Sequence, residues 1–196
     1  MWNHNVHFHN YLLRQLPPTI NCALDVGCGW GVFTWKLAQK AKIVDAIDVD
    51  VVILKQALAQ HNATNINYQN ADFLNSNLSE SYYDVIISIA SLHHMNLEAA
   101  LSKMKLLLRP SGKLIILGLY RETSFWDYFY SVISVPLNFI YLKVHHTSTL
   151  TSTVIAPTCA AQLSFNQIKL VVNKVIPGCK IQRHLFWRYS LIWQKS

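Results

Sequence analysis

Ala23-Leu24-Asp25-Val26-Gly27-Cys28-Gly29-Trp30-Gly31 is an apolar run that ends in an acid and then carries glycine at every second position. An apolar run of this length reads as a strand. The glycines after it supply the positive φ that a tight strand-to-helix turn demands, and the space for a ligand to approach the backbone. On this reading a Cβ at Gly27 or Gly29 would block that approach. Asp25 adds a constraint on the ligand. A carboxylate beside a diphosphate repels it, whereas a carboxylate attracts an ammonium or sulfonium group.

Working outward, strand and helix patterns alternate with short connections, which predicts an α/β fold with a largely parallel sheet. The first strand is expected at 22–26 and the first helix at 30–41. A second strand at 43–48 precedes a helix over 51–62, and a short third strand falls at 66–70. The β-branched run at 83–89 predicts a fourth strand buried on both faces. A helix at 96–108 stops before Pro110, and Ser111-Gly112 turns the chain into a fifth strand at 113–119. The rhythm then breaks over 122–160, where no βα unit is evident. A helix resumes at 165–176 with Ser164 as its cap, and Pro177-Gly178 ends it. Two short runs within 179–195, joined around Trp187-Arg188, predict an antiparallel hairpin at the sheet edge.

In an open parallel sheet the ligand lies outside the carboxyl ends of the strands, at the switch point of strand order. Three acids fall at such ends. Asp25 closes the first strand. Asp48 closes the second, 21 residues beyond Gly27, where a carboxylate can accept from both hydroxyls of a ribose. Asp72 follows the third, where it can accept from an adenine amino group.

This set resembles the class I S-adenosylmethionine (SAM)-dependent methyltransferases. Ala23–Gly31 is similar to their first motif, and Asp48 within Ala46-Ile47-Asp48-Val49-Asp50 to the acid ending their second strand. Asn70-Ala71-Asp72-Phe73 resembles their adenine-contacting segment, and Tyr83–Met95 their fourth strand and the loop after it. Leu108-Arg109-Pro110-Ser111-Gly112-Lys113 resembles their L-x-P-G-G turn, with Ser111 where the family often has Gly. Phe186-Trp187-Arg188-Tyr189-Ser190 fits their antiparallel seventh strand. The resemblance covers residues 20–120 best. It implies a single, doubly wound, seven-strand α/β sheet, mostly parallel with an antiparallel C-terminal hairpin, over residues 1–196. It further implies SAM as cofactor, held by Asp25, Gly27, Cys28, Gly29, Asp48, Val49, Asp72, Phe73 and Ile89. A nicotinamide dehydrogenase also needs a glycine loop and an acid about 20 residues on. The spacing here is G-x-G-x-G rather than G-x-G-x-x-G, and that pattern has no use for Asp72.

Two histidines, His93 and His94, follow the fourth strand on the side where the methyl group is expected. His94 is the candidate base for a hydroxyl or carboxyl acceptor. Residues 1–20 read as a cap over the site, with His7, His9 and Tyr11 as candidate contacts. Strand-like spacing would set His7 and His9 on one face. No carboxylate lies near them in sequence, so no metal site is indicated. Residues 125–142 carry one charge, Asp127, and are rich in aromatic residues. Together with Pro136 and Asn138 this reads as a lid inserted after the fifth strand rather than a membrane span. His145 and His146 follow it, and Thr147–Thr153 reads as an exposed loop.

Composition bounds the partners. The chain has 196 residues, 52% of them hydrophobic, which suits one domain with a sizeable core. Four scattered cysteines form no C-x-x-C pair, and the start lacks a basic region followed by an apolar run; both fit a cytoplasmic protein. The net charge of +7 lies wholly in residues 128–196, which hold seven bases and no acid. Those bases are spread rather than clustered, which disfavours a nucleic-acid face. Ser88-Ile89-Ala90-Ser91 stands where amino-methylating nucleic-acid enzymes carry an N-P-P-Y-type tetrad. The expected acceptor is a small molecule of apolar or aromatic character. The alternatives are a nucleic-acid acceptor, a lipid or quinone reached by peripheral membrane contact, and a SAM-binding module without catalysis. Nothing in the sequence speaks to oligomeric state.

Overall fold

Period-two alternation builds the two faces of the sheet. The computed structural model describes residues 4–121, 161–185 and 187–196. The expected lid at 122–160, its aromatic run and His145 and His146 lie outside the described residues. Seven strands form one sheet: β1 (Ile20–Val26), β2 (Ala41–Asp48), β3 (Ile66–Asn70), β4 (Tyr83–Ile89), β5 (Leu108–Leu119), β6 (Lys180–His184) and β7 (Arg188–Gln194). Their order is β3-β2-β1-β4-β5-β7-β6. The first five run parallel, and β7 is antiparallel to both β5 and β6. This is the doubly wound seven-strand sheet with an antiparallel C-terminal hairpin that the sequence implies.

Leu24, Val26, Ile86, Leu114 and Ile116 point to one face and pack against α5 (Leu97–Leu107) and α6 (Phe165–Val175). Their neighbours Ala23, Val85, Ile87, Ile115 and Leu117 point to the other. There they meet α3 (Val32–Ala38) and the N-terminal α2 (His9–Leu13), which follows the single turn α1 (His4–His7). β4 and the middle of β5 are apolar on both faces because both are covered. The connection from β2 to β3 is α4 (Val51–Gln60), capped by Asp50, whose carboxylate accepts from Val52 N and Ile53 N at 2.8 and 3.1 Å.

Two boundaries and one element type differ most from expectation. The first helix is Val32–Ala38 rather than 30–41, because the glycine loop occupies its start and Ala41 already pairs with Ile20 as the first residue of β2. The fifth strand begins at Leu108, which pairs with Tyr83 ahead of a register shift; Ser111, at φ +63°, sits inside that irregularity rather than in a turn before the strand. His7 and His9 lie on short helices separated by Phe8, not on a strand.

Arg121 N donates to Leu163 O at 2.8 Å, so the residues flanking 122–160 meet at the end of β5. Next to that junction Ser164 forms a reciprocal cap on α6: its hydroxyl accepts from Gln167 N at 3.3 Å, and its own N–H donates to Gln167 Oε1 at 2.9 Å. Among the described residues no helix is long and apolar enough to cross a membrane. Replacing Ser164 with Ala is expected to destabilise the protein by about 1 kcal/mol in chemical denaturation, with an unchanged denaturant slope.

Candidate functional site

Where β1 ends, the chain leaves the sheet through three glycines in left-handed conformations: Gly27, Gly29 and Gly31, at φ +70°, +52° and +73°. The loop is held from the β2 side. Gly27 N and Cys28 N donate to Ile47 O at 2.8 and 3.2 Å, and Gly29 N donates to Asp48 Oδ2 at 2.8 Å. The other oxygen of Asp48 accepts from Asp50 N at 3.0 Å. From the β4 side, the hydroxyls of Ser88 and Ser91 both donate to Val26 O, at 3.0 and 2.9 Å. A Cβ on Gly27 would lie 2.3 Å from the Ser91 Cβ, so Gly27 makes room for the protein's own side chain. At Gly29 a Cβ would meet nothing within 4 Å, and there it is the backbone conformation that calls for glycine.

This loop floors a cavity of about 440 Å³ at the carboxyl ends of β1, β2 and β4. Of the residues expected from sequence, Asp25, Gly27, Cys28, Gly29, Asp48, Val49, Phe73, Ile89 and His94 all line it. Asp72 does not. It is exposed, and its carboxylate accepts from Leu74 N at 3.0 Å and from Asn75 Nδ2 at 2.6 Å, closing the turn that carries Phe73. Its neighbours Ala71 and Phe73 face the cavity in its place.

Burial sets the charge states of the walls. Asp25 is 2% exposed, and its carboxyl is pushed up to about 7, first by burial and then by the charge of Asp48, against a hydrogen bond from Thr34 Oγ1 at 2.7 Å. Burial, with the charges of Asp25 and Asp48 behind it, raises the Cys28 thiol well above its ordinary range, so it stays protonated. His9, 3% exposed, is lowered to about 4 by burial and by Lys36, whose Nζ lies 3.2 Å from His9 Nδ1.

The N-terminal segment forms one wall, through Asn5, Val6 and His9. His7 is exposed and does not line the cavity. Tyr11 turns instead to β7, where its Oη lies 3.2 Å from Ser190 Oγ and its ring packs edge-on against His184. Asn5 was not foreseen from sequence. Its Oδ1 accepts from Arg188 Nε and Nη2 at 3.1 and 3.0 Å. Ala90, also unforeseen, lines the cavity at φ +52°. His94 and His93 occupy a single 3₁₀ turn (Leu92–His94), with ring centroids 4.0 Å apart. His94 is exposed on the cavity wall; His93 is half-buried and turns away from the cavity. No group of three or more His, Cys, Asp or Glu among the described residues is arranged to hold a metal ion.

A sheet of this order with an antiparallel seventh strand, and a glycine-floored cavity at its switch point, defines the Rossmann-like methyltransferase fold. The comparisons agree. Residues 23–112 match the methyltransferase-domain family. The chain is 28% identical over 203 residues to an uncharacterized methyltransferase of Mycobacterium tuberculosis, an alignment spanning 98% of this chain and 96% of that protein. Among solved structures it resembles an S-adenosylmethionine-dependent methyltransferase from Mesorhizobium loti (TM-score 0.52, 25% identity, 57% of this chain and 53% of that one). It also shares its fold with the N-methyltransferase NodS of Bradyrhizobium japonicum in complex with S-adenosylhomocysteine (TM-score 0.63, 15% identity, 97% of this chain and 86% of that one). Residues 23–112 thus form a methyltransferase domain of the SAM-dependent kind, with SAM as its cofactor.

The depressed pKa of His9 has a consequence for stability. A histidine that is harder to protonate folded than unfolded contributes stability that is present above about pH 6.5 and is lost as pH falls toward 4. Denaturation midpoints are therefore expected to drop between pH 7 and pH 4.5, by the equivalent of roughly 2 kcal/mol from this residue. In His9→Gln that part of the drop is expected to disappear.

Proposed function

We propose that the cavity holds SAM with Asp48 on the ribose hydroxyls, Val49 and Phe73 flanking the adenine, and Asp25 near the cationic end. Gly27, Cys28 and Gly29 present backbone to the cofactor, and Ile89 supplies an apolar wall. The volume lies within the ~300–1,000 Å³ usual for small-molecule sites. The open space at Gly29 suits close approach of a ligand to the backbone. Asp72 serves the adenine end indirectly, by fixing the turn that presents Phe73. Asp48 is the observation that carries the reading. It stands on the cavity wall with each oxygen committed to one backbone N–H, and a carboxylate oxygen accepts two hydrogen bonds.

Bound SAM supplies the electrophile, a methyl carbon on a positively charged sulfur. The chain's contribution is alignment of the acceptor and exclusion of water. His94, exposed on the cavity wall after β4, takes the proton that an O–H acceptor releases. The proposed acceptor is a small molecule of apolar or aromatic character, a reading supported by Val6, Ile89 and Met95 in the cavity wall and by the composition of residues 125–142. A nucleic-acid acceptor is disfavoured by how the C-terminal bases are spent. Arg188 is buried on Asn5, Lys174 pairs with Glu98 at 2.7 Å, and Lys195 Nζ donates to Leu108 O at 2.5 Å.

Calorimetric titration of S-adenosylhomocysteine tests the cofactor assignment. Asp48→Ala is expected to weaken binding by ~10–100-fold, the loss of hydrogen bonds to a charged group; equal affinity in wild type and variant would remove Asp48 from the site. A separate variant tests the base. His94→Gln is expected to leave the affinity for S-adenosylhomocysteine unchanged and to lower kcat by ~100-fold or more toward a hydroxyl acceptor. Full turnover at saturating acceptor would assign the proton to another group.

A further inference from the structure

The charges of the cavity wall are one-sided. Among the described residues its lining carries the carboxylates of Asp25, Asp48 and Asp50, and neither a lysine nor an arginine. The sulfonium and ammonium groups of SAM suit those acids. The carboxylate at its amino-acid end does not, and it calls for hydrogen-bond donors elsewhere in the wall.

The N-terminal wall holds two such donors, Asn5 and His9. They lie on α1 and α2, and Phe8 between the two helices keeps a right-handed helical conformation, at φ −89° and ψ −5°. Residues four apart on a helical course share a face. Each of the two has a cation behind it. Arg188 Nε and Nη2 donate to Asn5 Oδ1 at 3.1 and 3.0 Å, which fixes the amide and leaves its Nδ2 to donate. Lys36 Nζ lies 3.2 Å from His9 Nδ1. An ammonium can only donate, so Nδ1 accepts and the proton of the neutral ring sits on Nε2. Burial and the charge of Lys36 lower His9 to about 4, which keeps the ring neutral. Phe33 packs edge-on against it, with centroids 4.9 Å apart, and so holds its orientation. Neither Asn5 Nδ2 nor His9 Nε2 has a hydrogen-bond partner among the described residues, and neither atom is sealed off by them.

A lysine or arginine in the wall itself would pair with Asp25 and repel the sulfonium. A neutral donor with its cation one group behind keeps a polarised N–H toward an anion and holds the full charge back from the sulfur. We propose that Asn5 Nδ2 and His9 Nε2 together select the cofactor by its carboxylate, with Lys36 as the positioning residue that sets the His9 tautomer. The proposal rests on the SAM-binding reading of this cavity and adds the residues that discriminate at the amino-acid end.

S-adenosylhomocysteine and its decarboxylated analogue, which differ only in the carboxylate, are the probes for calorimetry near neutral pH. The wild type is expected to bind the first more tightly. Asn5→Asp keeps an acceptor for Arg188 and replaces the donor with an oxygen. It is expected to weaken S-adenosylhomocysteine by ~10-fold or more, and His9→Leu by ~10-fold, while neither weakens the analogue. Imidazole nitrogen NMR is expected to show the Nε2–H tautomer of His9 in the wild type and a loss of that preference in Lys36→Met. Equal wild-type affinity for the two probes, equal weakening of both in a folded variant, or an Nδ1–H tautomer in the wild type would overturn the assignment and leave the cofactor cavity standing. Should a variant fail to fold, the wild-type complex decides: cross-relaxation between the His9 ring protons and the homocysteine protons is expected, and its absence would overturn the proposal. A wild type that binds neither probe would remove the SAM reading and this proposal with it.

Discussion

The hydrogen bond from Gly29 N to the carboxylate of Asp48 fastens the glycine loop to the strand beside it. Three consecutive odd-numbered residues in left-handed conformations make a loop that is costly to order, since glycine loses more backbone freedom on folding than any other residue. The loop keeps one shape because it is clamped from both neighbours of β1. On the β2 side the clamp is Ile47 O and Asp48; on the β4 side it is Ser88 and Ser91, both on Val26 O. The sheet order makes this possible, because β1 is the strand whose two neighbours, β2 and β4, are reached by connections running in opposite directions. The cavity is thus formed before any ligand enters, and little ordering remains to be done on binding.

The same constraint explains the electrostatics. Two carboxylates, Asp25 and Asp48, approach one cavity from adjacent strand ends, and the more buried of them carries the raised pKa. A cation entering there relieves both the burial and the mutual repulsion. At the far edge of the sheet the problem is reversed. Arg188 is buried, burial lowers its pKa to about 10, and an N-terminal asparagine supplies an acceptor. That bond, with Tyr11 on Ser190 and Ser190 on His184 Nε2 at 2.7 Å, draws the N-terminal helices onto β7 and so builds the cavity wall formed by Asn5, Val6 and His9.

The strands were legible because their apolar runs are long and interrupted by acids and glycines at their ends; β3 and β4 fall at 66–70 and 83–89 as expected. Sites carried by the backbone itself were legible for the same reason, since a glycine or a terminal acid has few other uses there. What escaped was anything decided by partners distant in sequence. Leu108 becomes a strand residue only because Tyr83 pairs with it across a bulge. The space beside the Gly27 Cα is taken by Ser91, 64 residues later. Asp72 follows the third strand as expected, but an asparagine three residues on offers its carboxylate a closer donor than the cavity does. The His7–His9 spacing reads as a strand, but the segment is helical, and Phe8, buried between them, packs against His184.

The pair His93-His94 shows why the site's division of labour was beyond any reading of residue types. Both are histidines, adjacent, after the same strand. They fall in a 3₁₀ turn, where successive side chains are ~120° apart around the axis. One imidazole must therefore face a different direction from the other, and here one lines the cofactor cavity while the other lines a smaller pocket beside it. The tight turn is itself imposed from outside: Ala90, at φ +52°, donates its N–H to Leu117 O at 2.7 Å as the chain leaves β4, and the hydroxyl of Ser91 is drawn back onto Val26 O. The clamp that shapes the glycine loop thus also fixes the turn that aims the two imidazoles, which couples the shape of the cofactor floor to the orientation of both histidines.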